Sequence, residues 1–155
     1  MPKCNVVLAY IEKDDKYLML LRNKRENDMN KNKYLGIGGH VEDGETPDEA
    51  LIREIKEETN LDVIHYTYRG IVYFRNNIED EDMYLYHVDK FEGNQIKDCD
   101  EGSLLWVPKK DILKLNLWEG DYLFLEPFMN TCELIELEVV YDGDKLVSFK
   151  KYDNK

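Results

Sequence analysis

Apolar residues dominate Asn5–Ile11 (NVVLAYI) and Tyr17–Leu21 (YLMLL), and Asp14-Asp15 lies between the two runs. Short runs rich in Val, Leu, Ile and Tyr, split by turn-forming residues, predict two strands joined by a tight turn. Leu35–Val41 is a shorter strand region broken by glycines. Asp62–Phe74 and Met83–Phe91 are rich in Tyr, Val and Ile around the acidic stretch NNIEDED, which predicts a long hairpin. Leu104–Val107 reads as a short strand, and Glu133–Tyr141 and Lys145–Lys150 flank Asp142-Gly143, a strong hairpin turn. Between these runs the period changes. Pro47–Thr59 places Leu51, Ile52, Ile55 and Thr59 on one helical stripe, the expected core face. Pro108–Leu113 predicts a helix of one or two turns, and Gly120–Asn130 a further helix whose far end Pro127 limits. Residues 23–33, crowded with Asn, Asp and Lys, read as a long polar loop. Strands interspersed with two or three helices predict an α/β or α+β sandwich.

The main helix carries its own boundary signals. Thr46 is an N-cap, Pro47 takes the first helical position, and Glu49 completes a Thr-x-x-Glu capping box. Asn60 follows the last helical residue and tolerates the left-handed conformation that ends helices.

With 155 residues and 43% apolar content, the chain suits one domain, 1–155, with its own core. No apolar run approaches the ~20 residues of a membrane span, and the N-terminus lacks the pattern of a signal peptide. Cys4, Cys99 and Cys132 form no CxxC pair, so a zinc knuckle or disulfide framework is not indicated; a reducing cytoplasm is the plain reading. His40, His65 and His87 are scattered, which supports no histidine metal site. A formal charge of −12 excludes a broad nucleic-acid footprint. A small anionic partner remains open if metal ions or a few Lys and Arg supply local positive charge. The expected partner is thus a small molecule, with no nucleic acid and no membrane, and the chain a monomer or homodimer.

Charge changes the picture most on the helix itself. Glu54, Glu57 and Glu58 form a second stripe along one edge of the core stripe, with Lys56, Glu49 and Arg53 assigned to the outward side. Like charges three and four residues apart repel by ~0.2–0.5 kcal/mol per pair. Negative charge in the last turns also opposes the helix dipole. A solvated acidic face is one reading; a seat for a hard divalent cation, which prefers oxygen ligands, is the other.

The spacing favours the second. From Gly39 the chain reads Gly, five residues, Glu45, seven residues, Arg53-Glu54-Ile55-x-Glu57-Glu58, two residues, Leu61. This resembles the Nudix box, the signature of the Nudix hydrolases, with Asn60 where the family usually has Gly. The resemblance implies the Nudix fold, an α/β/α sandwich around a central mixed sheet. It implies that Glu54, Glu57 and Glu58, with the carbonyl of Gly38, bind Mg2+ or Mn2+. Glu45 and Arg53 would pair to support the site, and the substrate would be a nucleoside diphosphate derivative. The catalytic base would be one of the glutamates or a nearby acid. Glu101, five residues before Trp106, is a candidate, the alternative being an ordinary loop carboxylate.

The approach to the box, LLRNKRENDMNKNKYLGIGGHVE, is similar to the MutT-like branch, which hydrolyses oxidised nucleoside triphosphates. Arg22, and more weakly Lys24, would then meet phosphate, with Gly39 in the substrate-binding set. LWEGDYLFL is similar to the base pocket of 8-oxo-purine hydrolases, so Trp118 would stack on a purine and Asp121 hydrogen-bond its edge. The alternative reads Trp118 as a core anchor and Asp121 as a helix N-terminal charge. Leu35 stands where some of those enzymes place a polar base-reading residue. The implied activity is a Mg2+-dependent pyrophosphohydrolase of the 8-oxo-dGTP diphosphatase kind.

Overall fold

In a computed structural model, which describes residues 3–24, 26–28, 30–77 and 79–152, the strands are β1 (Lys3–Lys13), β2 (Lys16–Arg22), β3 (Tyr34–Leu35), β4 (Ile37–His40), β5 (Asp62–Arg75), β6 (Asp80–Glu92), β7 (Gly102–Pro108), β8 (Ile135–Asp142) and β9 (Lys145–Lys151). The α-helices are α1 (Pro47–Thr59) and α2 (Asp121–Asn130). The predicted helix after Pro108 is a 3-10 helix over Lys109–Lys114, with Pro108 as its N-cap. Every strand joins one mixed sheet, whose main path runs β3-β2-β1-β6-β5-β8-β9. The parallel pairs are β1 with β6 and β5 with β8.

β1 makes the site possible by forking. Its first half (Val6–Ala9) pairs with β4, and its end (Ile11–Lys13) turns back onto β2. Asp14 and Asp15 make that turn with φ of 54° and 62°, the left-handed pair that a two-residue hairpin requires. Alternate residues of β1 then serve two cores. Val7, Ala9 and Ile11 pack with Ala50, Leu51 and Ile55 of α1. Tyr10, with Leu8 at the margin, packs with Phe124, Leu125 and Phe128 of α2. This is the alternation a sheet buried on both faces must show.

The ends of α1 follow the sequence signals: both bonds of the capping box form, and Asn60 caps the helix at φ 65°. Two expectations are corrected. Ile52 is 44% exposed; Ala50 and Glu58 are buried instead, so the core stripe is rotated toward the acidic edge. α2 ends at Asn130 as expected, three residues past Pro127, and Thr131 closes it by bonding back to the Pro127 carbonyl through both its N–H and its hydroxyl. The last hairpin turns at Gly143-Asp144, one residue later than expected, with Gly143 at φ 63°.

Candidate active site

β4 and α1 face each other, and close approach is built into β4. A Cβ on Gly38 would lie 1.7 Å from the carbonyl oxygen of Val7, and one on Gly39 would lie 2.5 Å from the carboxyl carbon of Glu54. The glycines therefore bring the strand backbone against the acidic edge of α1. The Gly38 N–H donates to Glu58 Oε2 at 3.2 Å.

The glutamates are not equivalent. Glu58 is 9% exposed, whereas the Glu57 side chain is 59% exposed. Burial, then Glu101 and Glu54, push the Glu58 carboxyl up to about 9, against the smaller opposing effects of the Gly38 N–H and Arg22. Burial also raises Glu54, although Arg53 acts the other way. Glu54 and Glu101 both act to raise Glu58, and Glu101 acts to raise Glu54, so the cluster is short of cations. Glu101, just before β7, belongs to that cluster: it acts on both Glu54 and Glu58 and accepts from Arg22 Nη1 at 3.1 Å.

Arg53 does not take the outward side expected from the helical wheel. Its guanidinium holds Glu45 through two bonds, from Nε at 2.7 Å and Nη2 at 2.9 Å. The same group donates to Glu54 (2.9 Å), to Glu57 (3.1 Å) and to the His40 carbonyl (3.0 Å). One planar cation thus ties the loop before α1, the helix and β4 together, a task suited to Arg rather than Lys. Arg53 holds the Glu45 carboxyl down at about 2. The donors here are all oxygen, which suits a hard divalent cation. The glutamate oxygens do not form a trio within 4.8 Å among the described residues.

Arg22 stands at the end of β2, donating to Asp28 (2.8 Å) as well as to Glu101, with its side chain 16% exposed. Lys24 is tied at 2.8 Å to the Cys99 carbonyl in an exposed position. Trp118 is 5% exposed, edge-on to Phe74 and Tyr141, with its indole N–H on Asn30 Oδ1 at 2.6 Å and Lys33 Nζ 5.2 Å from the ring. Asp121 is buried, and burial raises its carboxyl to about 7 although Lys33 acts in the opposite direction. Leu35 packs at the margin of the same core. Lys33 and Asn30 were not anticipated: in the sequence they are two more residues of a polar loop.

Asp121 gives a direct pH test. Its folded pKa lies above the ordinary carboxyl value, so the folded state binds more protons from about pH 4 to 7, and stability falls as pH rises through that window. Between pH 5 and pH 8 the wild type is expected to lose on the order of 2 kcal/mol that Asp121→Asn does not lose. Urea denaturation at the two pH values checks this; parallel losses in both proteins would contradict it.

The chain matches the NUDIX domain family over residues 2–128, and it belongs to that family. An uncharacterized Nudix hydrolase of Bacillus subtilis, YvcI, is 28% identical over 153 residues, covering 94% of this chain and 92% of the relative. A CTP pyrophosphohydrolase of Escherichia coli is 28% identical over 131 residues, covering 83% and 93%. The crystal structure of a MutT protein from Bacillus halodurans superposes with a TM-score of 0.87 at 23% identity, covering 96% of this chain and 97% of that one, which shows the shared fold. The protein is a Nudix hydrolase, an enzyme class that acts on phosphoanhydride bonds of small nucleotide substrates with divalent cations. Among the described residues, no helix is long and apolar enough to cross a membrane.

Proposed function

We propose that the protein is a Mg2+-dependent nucleoside triphosphate pyrophosphohydrolase that converts oxidised purine nucleotides of the 8-oxo-dGTP type to the monophosphate and pyrophosphate. The supporting observation is the gathering of Glu58 and Glu54 against the backbone of Gly38 and Gly39, close enough to Glu101 to feel its charge, with Glu58 buried and raised to about 9. Such a cluster ionises at neutral pH when divalent cations join it. Bound Mg2+ or Mn2+ supplies charge neutralisation across the phosphates and a water acidified enough to attack phosphorus.

The chain's own groups do the rest. Glu54 and Glu58 offer inward carboxylates, Glu57 reaches from the solvent side, and the Gly38 carbonyl completes the oxygen set. Gly39 lets a phosphate chain approach the backbone. Arg53, clamped on Glu45, keeps Glu54 and Glu57 from turning away. Glu101, beside the cluster, would as a carboxylate be the base that takes the water's proton. Arg22 exchanges a carboxylate for a phosphate oxygen, with Lys24 as a longer-range charge.

Base choice rests on Asp121 and Lys33. An 8-oxo-purine carries N–H at position 7, where an ordinary purine carries a lone pair. In its ionised form the buried Asp121 carboxylate would accept from that N–H, whereas an ordinary purine offers it only a lone pair. Trp118, held edge-on in the core by Phe74 and Tyr141, would bound the base site from the core side.

Similarity to the E. coli CTP pyrophosphohydrolase favours a second reading, in which the same machinery acts on another nucleoside triphosphate. A nucleotide panel with pyrophosphate detection separates the two. The expected result is a kcat/KM for 8-oxo-dGTP at least about tenfold above those for dGTP and CTP. Equal rates across the panel would reject oxidised-nucleotide specificity, and tight binding without turnover in Mg2+ or Mn2+ would make the protein a nucleotide-binding regulator.

A further inference from the structure

β4 has two faces, and the candidate active site uses one. Gly39 lies against Glu54 of α1, and consecutive strand residues face opposite ways, so His40 belongs to the other face. Register shows what it meets there. His40 is paired with Val6 of β1, and Cys4, two residues earlier on β1, shares the face of Val6. Cys4 is in turn paired with Glu81 of β6, and Glu79 lies two residues before Glu81. Cys4, His40 and the neighbouring Glu79 and Glu81 come from three separate stretches of sequence and share one corner of the sheet.

Their side chains converge. One ligand atom each from Cys4, His40 and Glu79 lies within 4.8 Å of the others, the single such trio of His, Cys, Asp and Glu among the described residues. The charges that act on Cys4 and Glu81 are all carboxylates, Glu79 on both and Glu81 on Cys4. His40, exposed, gives an ion a way in.

We infer that Cys4, His40 and Glu79 form a second metal site, distinct from the glutamate cluster, for a thiophilic divalent ion of the Zn2+ class. One sulfur, one imidazole nitrogen and one carboxylate oxygen are a donor set for zinc or cobalt, not for magnesium. Tetrahedral ligands at zinc distances are about 3.5 Å apart, so the trio closes by side-chain rotation alone. The fourth position goes to water or to Glu81. Binding displaces the thiol proton into solvent and leaves a thiolate–metal bond; no electron is transferred. The ion would tie β1, β4 and the β5–β6 turn together. It would hold His40, whose carbonyl accepts from Arg53, and so stiffen the strand that carries Gly38 and Gly39.

Cobalt reports this site, because a thiolate ligand gives Co2+ a near-ultraviolet charge-transfer band that oxygen ligands do not. Titration of the full chain with Co2+ in excess Mg2+ is expected to give that band at one equivalent, and Zn2+ to abolish it. Cys4→Ser is expected to remove the band, and His40→Gln and Glu79→Gln each to weaken Co2+ binding at least about tenfold. Cys99→Ser with Cys132→Ser, and separately Glu54→Gln with Glu58→Gln, should leave the band intact. Circular dichroism confirms folding, and His40→Gln, an exposed substitution, keeps the test open if Cys4→Ser fails to fold. Absence of the band in the wild type, its survival in Cys4→Ser, or unchanged affinity in His40→Gln and Glu79→Gln would each overturn the assignment.

Discussion

Glu58→Gln is expected to cut turnover by at least about 10²-fold while the protein stays folded, the loss typical of removing one charge that stabilises a developing charge. The substitution is nearly isosteric, and the glutamine oxygen still accepts from the Gly38 N–H. It removes the negative charge that a divalent cation needs. Stability should move the other way. In metal-free protein, burial, Glu101 and Glu54 hold the Glu58 carboxyl up at about 9. From the ordinary carboxyl range up to that value the folded state binds more protons than the unfolded state, so wild-type stability declines as pH rises. Glu58→Gln is free of that decline, and its melting temperature without metal should exceed that of the wild type at pH 8, with little further rise on adding Mg2+. A variant with wild-type turnover, or one stabilised by Mg2+ as much as the wild type, would contradict the assignment of Glu58 as a cation ligand.

Alanine at the two box glycines should separate folding from function. At Gly38 the new Cβ would sit 1.7 Å from the Val7 carbonyl oxygen and 2.7 Å from its carbon, both backbone atoms of the central strand β1. Neither can yield, so Gly38→Ala is expected to cost upwards of ~3 kcal/mol or prevent folding. At Gly39 the nearest atoms are the carboxyl group of Glu54, the free end of a flexible side chain. Gly39→Ala should therefore fold, with a urea midpoint near that of the wild type, and lose turnover because Glu54 is displaced. Equal effects of the two substitutions on stability, or normal turnover in Gly39→Ala, would refute the placement of Glu54.

What the sequence made legible follows from how local each signal is. The ends of α1 were legible because capping chemistry is written within a few residues of each end. Convergence of Glu54 and Glu58 on Gly38 and Gly39 followed from one contiguous motif whose spacing the family resemblance interprets. The stripe geometry failed at Ile52 and Arg53. An ideal wheel gives the relative order of faces, but the packing of α1 on β1 and β4 sets which face is inward, and Glu58 took the place assigned to Ile52. Lys33 and Asn30 were illegible because a polar loop carries no period from which to read direction. Cys4, His40 and Glu79 looked scattered for a further reason: strand pairing brings them together, β1 to β4 on one side and β1 to β6 on the other. Register of that kind has no signature in a single chain.

The central claim is that the acidic edge of α1 seats divalent cations against the phosphates of a nucleotide. Crystals grown with Mn2+ and a non-hydrolysable nucleoside triphosphate analogue test it through the anomalous signal of manganese. An anomalous peak coordinated by Glu54 and Glu58, near the Gly38 carbonyl and in contact with the phosphates, is the expected result. Nucleotide bound elsewhere, with those carboxylates free of any anomalous peak, would contradict it.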